Sequence, residues 1–508
     1  MGRWEGLSIS RFSPFIPHLV HSSHSLCRAV FVLPECSVPL TEIGMKSSPF
    51  ARLPRVLPFL ACLHFALGLS ASASAALPTN AEAEAILKKH LIGRGQATGA
   101  AVALVDASGI RVVTVGVARE GVPLTTDHLF EIGSVTKTFT GILLAIADAN
   151  GEAKLDDPVE NFLPDGIKVR DRAGAPIRMV DLATQRSGLP RLADNFLPRD
   201  PNNPYVDYRE ADLLDFLKNF KATSARNAQY DYSNIGYGLL GYALVRAAKA
   251  PSFNALVSER VLKPLNMQNT TADTRRFLDR LAQPHNAGGK PTPAWDLPLA
   301  HAGAGALRAT AGDMGLYVEA IAGLKESSLA QAIRLATTPR EQGPGRINPI
   351  GLAFMRVPFN ERELVNHDGG TMGTSSSLMI DAKAREGVFI VANTSTRLFE
   401  IALHLLDRRF SLEPRVFPKT LTVLPEVLAR YAGTYKLTEE FLVVVRVRDG
   451  KLTAQATRQG EFEIFPESET RFFAKVAPIV ITFGDIVDGK AGSFLIEQGG
   501  GTRTAKRN

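Results

Sequence analysis

Hydrophobic and polar residues follow two different periods through the middle of this chain. Two pairs of short β-rich runs predict two hairpins of apolar strands, at residues 100–106 with 111–116 and at residues 375–381 with 387–393. Longer apolar runs between the hairpins predict helices, at residues 139–147, 235–249 and 310–322. Strands at both ends with helices between them predict an α/β (α+β) domain. Its antiparallel sheet would join the two ends of the domain and would be flanked by helices and a helical subdomain.

The pattern changes after residues 408–422, a segment that contains Pro414 and Pro418 and is predicted to be a linker. Short alternating strands separated by turns follow it, at residues 441–447, 451–455, 461–465, 471–475, 479–483 and 493–497. Regular strands at this spacing predict a small all-β barrel. The predicted division is therefore 76–407 for the first domain, 408–422 for the linker and 423–508 for the barrel.

Residues 1–75 have the pattern of a targeting segment. Met45 opens a second plausible start, and basic residues followed by the apolar run 56–69 lead to an A-x-A cleavage signal that ends at Ala75. This order is typical of a Sec-type signal peptide, so a periplasmic or secreted mature protein is predicted, with a true start at Met45 and cleavage near Ala75. The alternative is an organelle presequence rich in arginine and serine.

Composition excludes several classes of function. A chain of 508 residues predicts more than one domain, and none of its apolar runs reaches the length of a membrane span. The formal charge of +7 is spread without a basic patch interleaved with aromatic residues, so no nucleic-acid partner is expected. All three cysteines precede Ala76, which leaves the predicted mature chain without a disulfide, a thiolate metal site or a cysteine nucleophile.

Neither a cofactor nor a metal is expected. Gly236 to Gly241 (GYGLLG) matches the G-x-G-x-x-G pattern, but no strand precedes it as a dinucleotide site requires. The small residues are better explained by close helix packing. No H-E-x-x-H, P-loop, C-x-x-C or G-x-S-x-G sequence occurs in the chain, so metal-hydrolase and α/β-hydrolase interpretations have no support.

The candidate chemistry lies in Ser134-x-x-Lys137, the only S-x-x-K in the chain, and in Tyr232-x-Asn234, the only Y-x-N. Residues three apart share a face of a helix, so a hydroxyl and an amine would lie side by side at a helix start. Serine needs such a base to become a nucleophile. Free lysine and tyrosine are protonated at neutral pH. Burial would lower the pKa of the lysine, and a neighbouring ammonium would lower the pKa of the tyrosine. Either could receive the proton of Ser134, whose alternative role is a helix N-cap.

These two motifs, followed by His367-Asp368-Gly369, resemble the serine β-lactamases and DD-peptidases. Tyrosine in the second motif is similar to the class C β-lactamases, related penicillin-binding DD-carboxypeptidases and their esterase relatives. The stretch 182–190 (LATQRSGLP) resembles the family's L-x-T-H-T-S-G-L-P, from which Gln185 and Arg186 depart. The resemblance covers roughly residues 85–400. Tyr431 to Tyr435 (YAGTY) resembles the opening of the lipocalin-like barrels that often follow this domain.

The resemblance implies a serine hydrolase that acts through an acyl-enzyme on amide, lactam or ester bonds. Ser134, Lys137 and Tyr232 would be catalytic. The implied substrate is a small molecule or is derived from peptidoglycan: a β-lactam, a D-amino-acid peptide or an ester. The alternative is a non-catalytic penicillin-binding or peptidoglycan-sensing protein of the same fold. Tyr232 is the expected partner for protonating the leaving group and for activating the deacylating water.

The resemblance also implies a substrate-binding set. Asn234 would bind the substrate amide carbonyl or hold Lys137, and the N–H groups of Ser134 and Gly370 would form the oxyanion hole. His367 stands where lysine is usual, and Gly369 allows close backbone approach to a ligand.

Asp368 departs from the family's Thr or Ser, whose hydroxyl can contact a substrate carboxylate. An aspartate would repel that carboxylate, which weakens the β-lactamase and carboxypeptidase readings and favours an esterase, amidase or D-amino-acid peptidase. The side chain could instead point away, orient His367 or pair with an arginine.

Overall fold

A computed structural model of the protein describes residues 76–508, except 274, 343–348, 414–416, 439–440, 458–460, 476–478 and 499–500. The predicted start at Met45, the signal segment and the cleavage near Ala75 lie outside the described residues. The chain divides into two compact units, of which the first ends at Glu413 and the second continues to Asn508. Within the described part of the chain, no helix has the length and apolar character needed to cross a membrane.

The first unit contains ten α-helices among its described residues. They are α1 Asn80–Leu87, α2 Thr136–Asn150, α3 Met179–Ala183, α4 Glu210–Asn219, α5 Asn234–Ala247, α6 Phe253–Val257, α7 Leu299–Gly305, α8 Ala311–Ile321, α9 Ala330–Thr337 and α10 Phe399–Leu406. Local sequence accounts for their ends. The Ser233 side chain caps α5 by accepting a hydrogen bond from the Gly236 N–H, and Gly151 ends α2 in the left-handed conformation at φ 73°.

The strands of this unit form a large antiparallel sheet and a small one. They are β1 Gly99–Asp106, β2 Gly109–Arg119, β3 Val122–Pro123, β4 Leu129–Glu131, β5 Thr270–Thr271, β6 Arg308–Thr310, β7 Glu341–Gln342, β8 Pro349–Ile350, β9 Met355–Phe359, β10 Arg362–Gly370, β11 Ser375–Asp381 and β12 Glu386–Ala392. The large sheet has the order β3-β2-β1-β12-β11-β10-β9-β8-β7, and the small one has the order β4-β6-β5. Since β1 pairs with β12, the early and late hairpins meet as predicted, and the expected fold class is confirmed.

The large sheet is buried on both faces. Alternate residues of β1 belong to two different hydrophobic clusters: Ala101 and Ala103 to one with α2 and α8, and Val102 and Leu104 to one with α1 and α10. Burial on both faces explains why this strand is apolar throughout rather than alternating.

Helices α5 and α7 pack closely through glycines. A Cβ atom on Gly238 would lie 2.0 Å from the Ala300 carbonyl oxygen, and one on Gly241 would lie 2.9 Å from the Gly303 Cα atom. Neither distance is tolerable, so the G-x-G-x-x-G glycines of α5 serve helix packing. The contact also fixes α7 beside the start of α5.

The second unit is a closed barrel of eight strands in the order β13-β14-β15-β16-β17-β18-β21-β22, with a helix and a small hairpin. Its elements are α11 Pro425–Tyr431, β13 Gly433–Thr438, β14 Phe441–Arg448, β15 Lys451–Ala456, β16 Phe462–Pro466, β17 Arg471–Ala474, β18 Ile479–Phe483, β19 Ile486–Val487, β20 Lys490–Ala491, β21 Ser493–Gln498 and β22 Gly501–Arg507. The six predicted strands are present. The two strands that close the barrel, β13 and β22, were not predicted, because β22 (GTRTAKR) has no apolar alternation.

Candidate active site

Ser134 lies in the turn between β4 and α2. Residues Gly133–Val135 form one turn of 3-10 helix, and Ser134 is half-buried there. Gly133 has φ +50°, and a Cβ atom on it would lie 2.6 Å from the Gly370 nitrogen. Only glycine suits this position, and the end of β10 therefore packs directly against the serine turn. The residue before α2 is Val135, which makes no side-chain cap, so the N-cap alternative for Ser134 does not describe this turn.

Lys137 is fully buried, and its amine is held at three acceptors. Its Nζ lies 3.0 Å from Ser134 Oγ, 3.0 Å from Asn234 Oδ1 and 2.8 Å from the Ala304 carbonyl oxygen. Burial, with a smaller contribution from the charge of Arg191, holds the pKa of Lys137 well below its usual value. The structure therefore brings the predicted nucleophile and a predicted base within hydrogen-bonding distance.

The Tyr232–Asn234 turn is tied to the stretch 182–190 by several hydrogen bonds. Ser233 Oγ donates to the Pro190 carbonyl at 2.6 Å, and the Ser233 N–H donates to Gln185 Oε1 at 2.7 Å. Gln185, a departure from the family pattern, thus has a clear structural role. Its own left-handed backbone at φ 59° brings its carbonyl oxygen within 2.8 Å of the Asp231 N–H.

The Tyr232 ring lies between the Lys137 amine and the Arg191 guanidinium. Lys137 Nζ lies 4.9 Å from the ring centroid, and the Arg191 guanidinium carbon lies 5.2 Å from it. Burial raises the pKa of Tyr232 to about 12, against the lowering effects of a hydrogen bond with Ser134 and of the charge of Arg191. Tyr232 is therefore a neutral phenol in neutral solution, whereas Lys137 is the group whose pKa moves toward neutrality.

The third motif lies at the end of β10. Along this strand the side chains alternate between the two faces of the sheet. His367 is buried, and its Nδ1 lies 2.7 Å from the Asp368 carbonyl oxygen. The Asp368 carboxylate lies on the opposite face, where it accepts hydrogen bonds from Ser377 Oγ at 2.6 Å and Asn366 Nδ2 at 3.2 Å. The Asp368 side chain thus points away from the face that holds His367 and the serine turn.

Gly369 makes a close approach to the protein's own backbone, whereas the predicted approach was to a ligand. A Cβ atom there would lie 2.1 Å from the Ile132 carbonyl oxygen and 2.3 Å from Ser376 Oγ. Gly370, by contrast, has only the Thr374 carbonyl oxygen within 4 Å of such an atom, at 3.8 Å. Of the predicted substrate-binding residues, the structure brings Gly370 and Asn234 to one cleft with Ser134.

Glu131 is a site residue that the sequence analysis missed. Its buried carboxylate accepts hydrogen bonds from the Trp295 N–H at 2.6 Å, Thr371 Oγ at 3.0 Å and Thr374 Oγ at 3.3 Å. Burial raises the pKa of Glu131. An acid in the apolar stretch LFEIGS, three residues before Ser134, was the signal that could have revealed it. Glu131 holds together three segments around the serine turn.

The cleft is lined by Gly133, Ser134, Tyr205, Asn234, Trp295, Leu297, Ala304, Gly305, Gly370 and Thr371. Tyr205 and Trp295 form an aromatic wall, with ring centroids 5.1 Å apart. The Tyr205 hydroxyl accepts a hydrogen bond from Asn234 Nδ2 at 3.3 Å. Both rings come from irregular loops, so periodicity gave no signal for them. Among the described residues, no group of three or more acidic, histidine or cysteine side chains is placed to hold a metal ion.

Comparisons with known proteins agree with this geometry. The family model described as Beta-lactamase matches residues 84–408, and a model described as a domain of unknown function, DUF3471, matches residues 418–504. The D-alanyl-D-alanine-carboxypeptidase/endopeptidase AmpH of Escherichia coli (strain K12) is 26% identical over 321 residues, covering 60% of this chain and 82% of AmpH. A penicillin-binding protein of Bacillus subtilis (strain 168) is 24% identical over 414 residues, covering 76% of this chain and 89% of that protein.

Solved structures share the fold of the first unit. A beta-lactamase/D-alanine carboxypeptidase from Yersinia pestis, complexed with citrate, has a TM-score of 0.56 at 24% identity, covering 65% of this chain and 98% of that chain. A class C beta lactamase from Rhodobacter sphaeroides has a TM-score of 0.54 at 22% identity, covering 62% and 95%. At these identities the likeness concerns the fold alone.

Proposed function

The chain belongs to the Beta-lactamase family, and on that premise we propose that it is a serine hydrolase whose nucleophile is Ser134 and whose intermediate is an acyl-enzyme. The observation that carries the proposal is the 3.0 Å contact between Lys137 Nζ and Ser134 Oγ. Since burial lowers the pKa of Lys137, the amine can be neutral where a surface lysine would be charged.

Acylation moves two protons: Lys137 gains one and Tyr232 gives one up. Lys137 takes the proton of Ser134 as Oγ attacks the carbonyl carbon, and the N–H groups of Ser134 and Gly370 stabilise the oxyanion. Tyr232, a phenol with a pKa of about 12, donates its proton to the leaving group as the scissile bond breaks. Oxyanion donors of this kind each contribute roughly 10²–10³ in rate.

Deacylation returns both protons. A water molecule gives a proton to the Tyr232 phenolate and attacks the acyl carbon, and Ser134 Oγ recovers its proton from the Lys137 ammonium. The products are the free acid and the resting enzyme. Asn234, which accepts a hydrogen bond from Lys137 through Oδ1, has its Nδ2 group available for a substrate carbonyl if the Tyr205 hydroxyl is displaced.

The proposed substrates are β-lactams, D-amino-acid peptides or esters, as small molecules or pieces of peptidoglycan. The names of the relatives support the first two. Asp368 was expected to disfavour substrates with a carboxylate at the third motif. Its position on the far face of β10 weakens that expectation, so the three classes stay open. We also propose export to the periplasm or beyond, which N-terminal sequencing of the mature protein would test at Ala76.

A fluorophosphonate and a fluorescent penicillin test the nucleophile directly. We expect wild-type protein to be labelled at Ser134 and the Ser134→Ala variant to be unlabelled, with Ser108→Ala as a control in an exposed serine. Labelling that persists in Ser134→Ala would refute the assignment. Turnover of nitrocefin, a D-Ala-D-Ala peptide and p-nitrophenyl butyrate would then identify the substrate class. Stoichiometric labelling with no turnover of any of them would support the non-catalytic penicillin-binding alternative.

We propose in addition that the domains are residues 76–407 and 423–508, joined by 408–422. The two family models, which match 84–408 and 418–504, support this division. Phe410 packs on Phe359 at 5.9 Å between ring centroids, so a fragment that ends at Glu413 keeps the contacts of the first unit.

A further inference from the structure

The charges around Tyr232 differ from the set that the family motifs predict. The third motif carries His367 where a lysine is usual and Asp368 where a hydroxyl residue is usual. The Asp368 carboxylate lies on the far face of β10, and its charge adds to the effects that raise the pKa of Tyr232. A phenol that must release and regain a proton benefits from positive charge nearby, because the phenolate is the form such a charge stabilises.

Arg191 is placed to supply that charge. Its guanidinium carbon lies 5.2 Å from the centroid of the Tyr232 ring. The side chain is exposed, and among the described residues no carboxylate lies within 4 Å of it to form an ion pair. The side chain thus brings an uncompensated positive charge to the ring of the phenol.

The backbone holds Arg191 in this place. Its carbonyl oxygen accepts hydrogen bonds from the N–H groups of Asn234, at 3.0 Å, and Ile235, at 3.4 Å. The preceding residue, Pro190, accepts the Ser233 hydroxyl. These bonds fasten the Arg191 backbone to the turn that carries Tyr232, so the arginine side chain starts close to the phenol.

We propose that Arg191 is a positioning residue that acts through Tyr232 and Lys137, supplying the positive charge for which the third motif no longer provides a lysine. The proposal rests on the proposed function, because it assigns Arg191 to the proton transfers of the acyl-enzyme reaction. The proposal adds Arg191, the residue that follows the stretch 182–190, to the groups that take part in the reaction. This position lies outside both the S-x-x-K and the Y-x-N motifs.

The sign of the effect follows from the other groups that face Tyr232. These are the Lys137 amine and the phenols of Tyr205, Tyr230 and Tyr237, and the Asp368 carboxylate acts on Tyr232 from the far face of β10. Arg191 lowers the pKa of Tyr232 and also that of Lys137. Removing its charge therefore raises both values, whichever group serves as base in a given step.

The test is the pH profile of kcat/KM for a neutral substrate, p-nitrophenyl butyrate, in three variants of the full chain. Arg191→Met removes the charge and keeps an unbranched aliphatic stem. The pH profile of this variant should move to higher pH by about 0.5–1 unit. Arg191→Lys should restore most of the wild-type profile. Asp368→Asn removes the opposing charge, and its profile should move to lower pH.

Two pH profiles would overturn the inference about Arg191 and leave the proposed function standing. One is an Arg191→Met profile that coincides with the wild-type profile, and the other is an Arg191→Lys profile displaced as far as that of Arg191→Met. A rise in KM confined to carboxylate-bearing substrates, with no displacement of the profile, would also overturn it, since Arg191 would then bind substrate. Wild-type protein that neither labels at Ser134 nor hydrolyses any ester would instead overturn the proposed function, and this inference with it.

Discussion

The two sides of the cleft are built in different ways. Its helix side, made of Ser134, Lys137 and Asn234, is held by side chains that bond to one another at 3.0 Å. Its strand side, the end of β10 at Gly369 and Gly370, is defined by backbone that lies against the serine turn where no Cβ atom fits at Gly369. The geometry of the helix side therefore depends on the identity of its side chains. The geometry of the strand side depends on Gly369 having no side chain.

This difference explains where the chain departs from its family's motifs. Ser134, Lys137, Tyr232 and Asn234 follow the pattern, whereas His367 and Asp368 do not. A strand that presents N–H groups to the cleft can change its side chains with little effect on the backbone geometry. A helix face that holds a nucleophile against a base has no such freedom.

The largest effect is expected from removing the proposed general base, Lys137, from the helix side of the cleft. Lys137→Met removes the amine while keeping an apolar side chain of similar length, and we expect kcat/KM to fall by about 10²–10⁴-fold. Hydrolysis of p-nitrophenyl butyrate measures it, with the exposed Lys168→Met as control. Near wild-type activity in a folded Lys137→Met protein would move the role of base to Tyr232.

A smaller but clear loss is expected from adding one methyl group to the strand side. In Gly369→Ala the Cβ atom would lie 2.1 Å from the Ile132 carbonyl oxygen, so β10 must shift away from the serine turn. A shift of about 1 Å in a catalytic donor costs on the order of 10²-fold in rate. Gly312→Ala in α8 is the matched control, because the nearest atom to its added Cβ outside its own helix backbone would be Thr310 Oγ1, at 3.8 Å. Equal rates for the two variants would contradict the close-approach argument.

A change of side chain on the same strand should do much less. Asp368→Thr restores the family's hydroxyl and removes a charge that Ser377 and Asn366 hold on the far face. An effect of about 0.2–1 kcal/mol corresponds to a roughly 1.4- to 5-fold rise in the kcat/KM ratio of a D-Ala-D-Ala peptide to p-nitrophenyl butyrate. An unchanged ratio would mean that Asp368 has no electrostatic contact with bound substrate, and a rise of several hundredfold would place it beside the substrate carboxylate.

The smallest effect is expected from removing the barrel. If the cleft needs only its own two sides, a fragment of residues 76–413 should be folded by circular dichroism and should keep most of the kcat/KM of the mature chain. An insoluble or unfolded fragment would contradict the proposed domain division. A folded fragment with altered substrate preference would show that the barrel contributes to recognition.

The helix side of the cleft could be predicted from the sequence, since the spacing of a short motif places Ser134 and Lys137 side by side at a helix start. The meeting of the two terminal hairpins in one sheet also followed from their pattern. The aromatic wall of Tyr205 and Trp295 could not be predicted, because both residues lie in loops whose course is decided by long-range contacts. The role of Glu131 was hidden for a similar reason: its three partners are distant in sequence.

The pairing of β13 with β22, which closes the barrel, also depends on contacts between segments distant in sequence. Strands with apolar alternation were predicted, but β22 has no such alternation, and it is a strand because it pairs with β21 on one side and with Tyr435 and Lys436 of β13 on the other. Closure of a sheet is a property of pairing, which no single segment carries. From the sequence, Asp368 could face a substrate carboxylate or point away from it, and strand alternation puts its side chain on the other face.

The burial of Lys137 also links the folding equilibrium to pH. In the unfolded chain this lysine has a pKa near 10.4, whereas burial lowers its pKa in the folded protein. At a pH between those two values, the unfolded chain holds a proton that the folded protein lacks. The free energy of unfolding therefore rises as pH increases through this window, and it decreases again as pH falls. Denaturant titrations of wild-type protein and Lys137→Met at several pH values should differ by this slope. The residue proposed as the base for Ser134 is thus one at which the fold is weakened by acid.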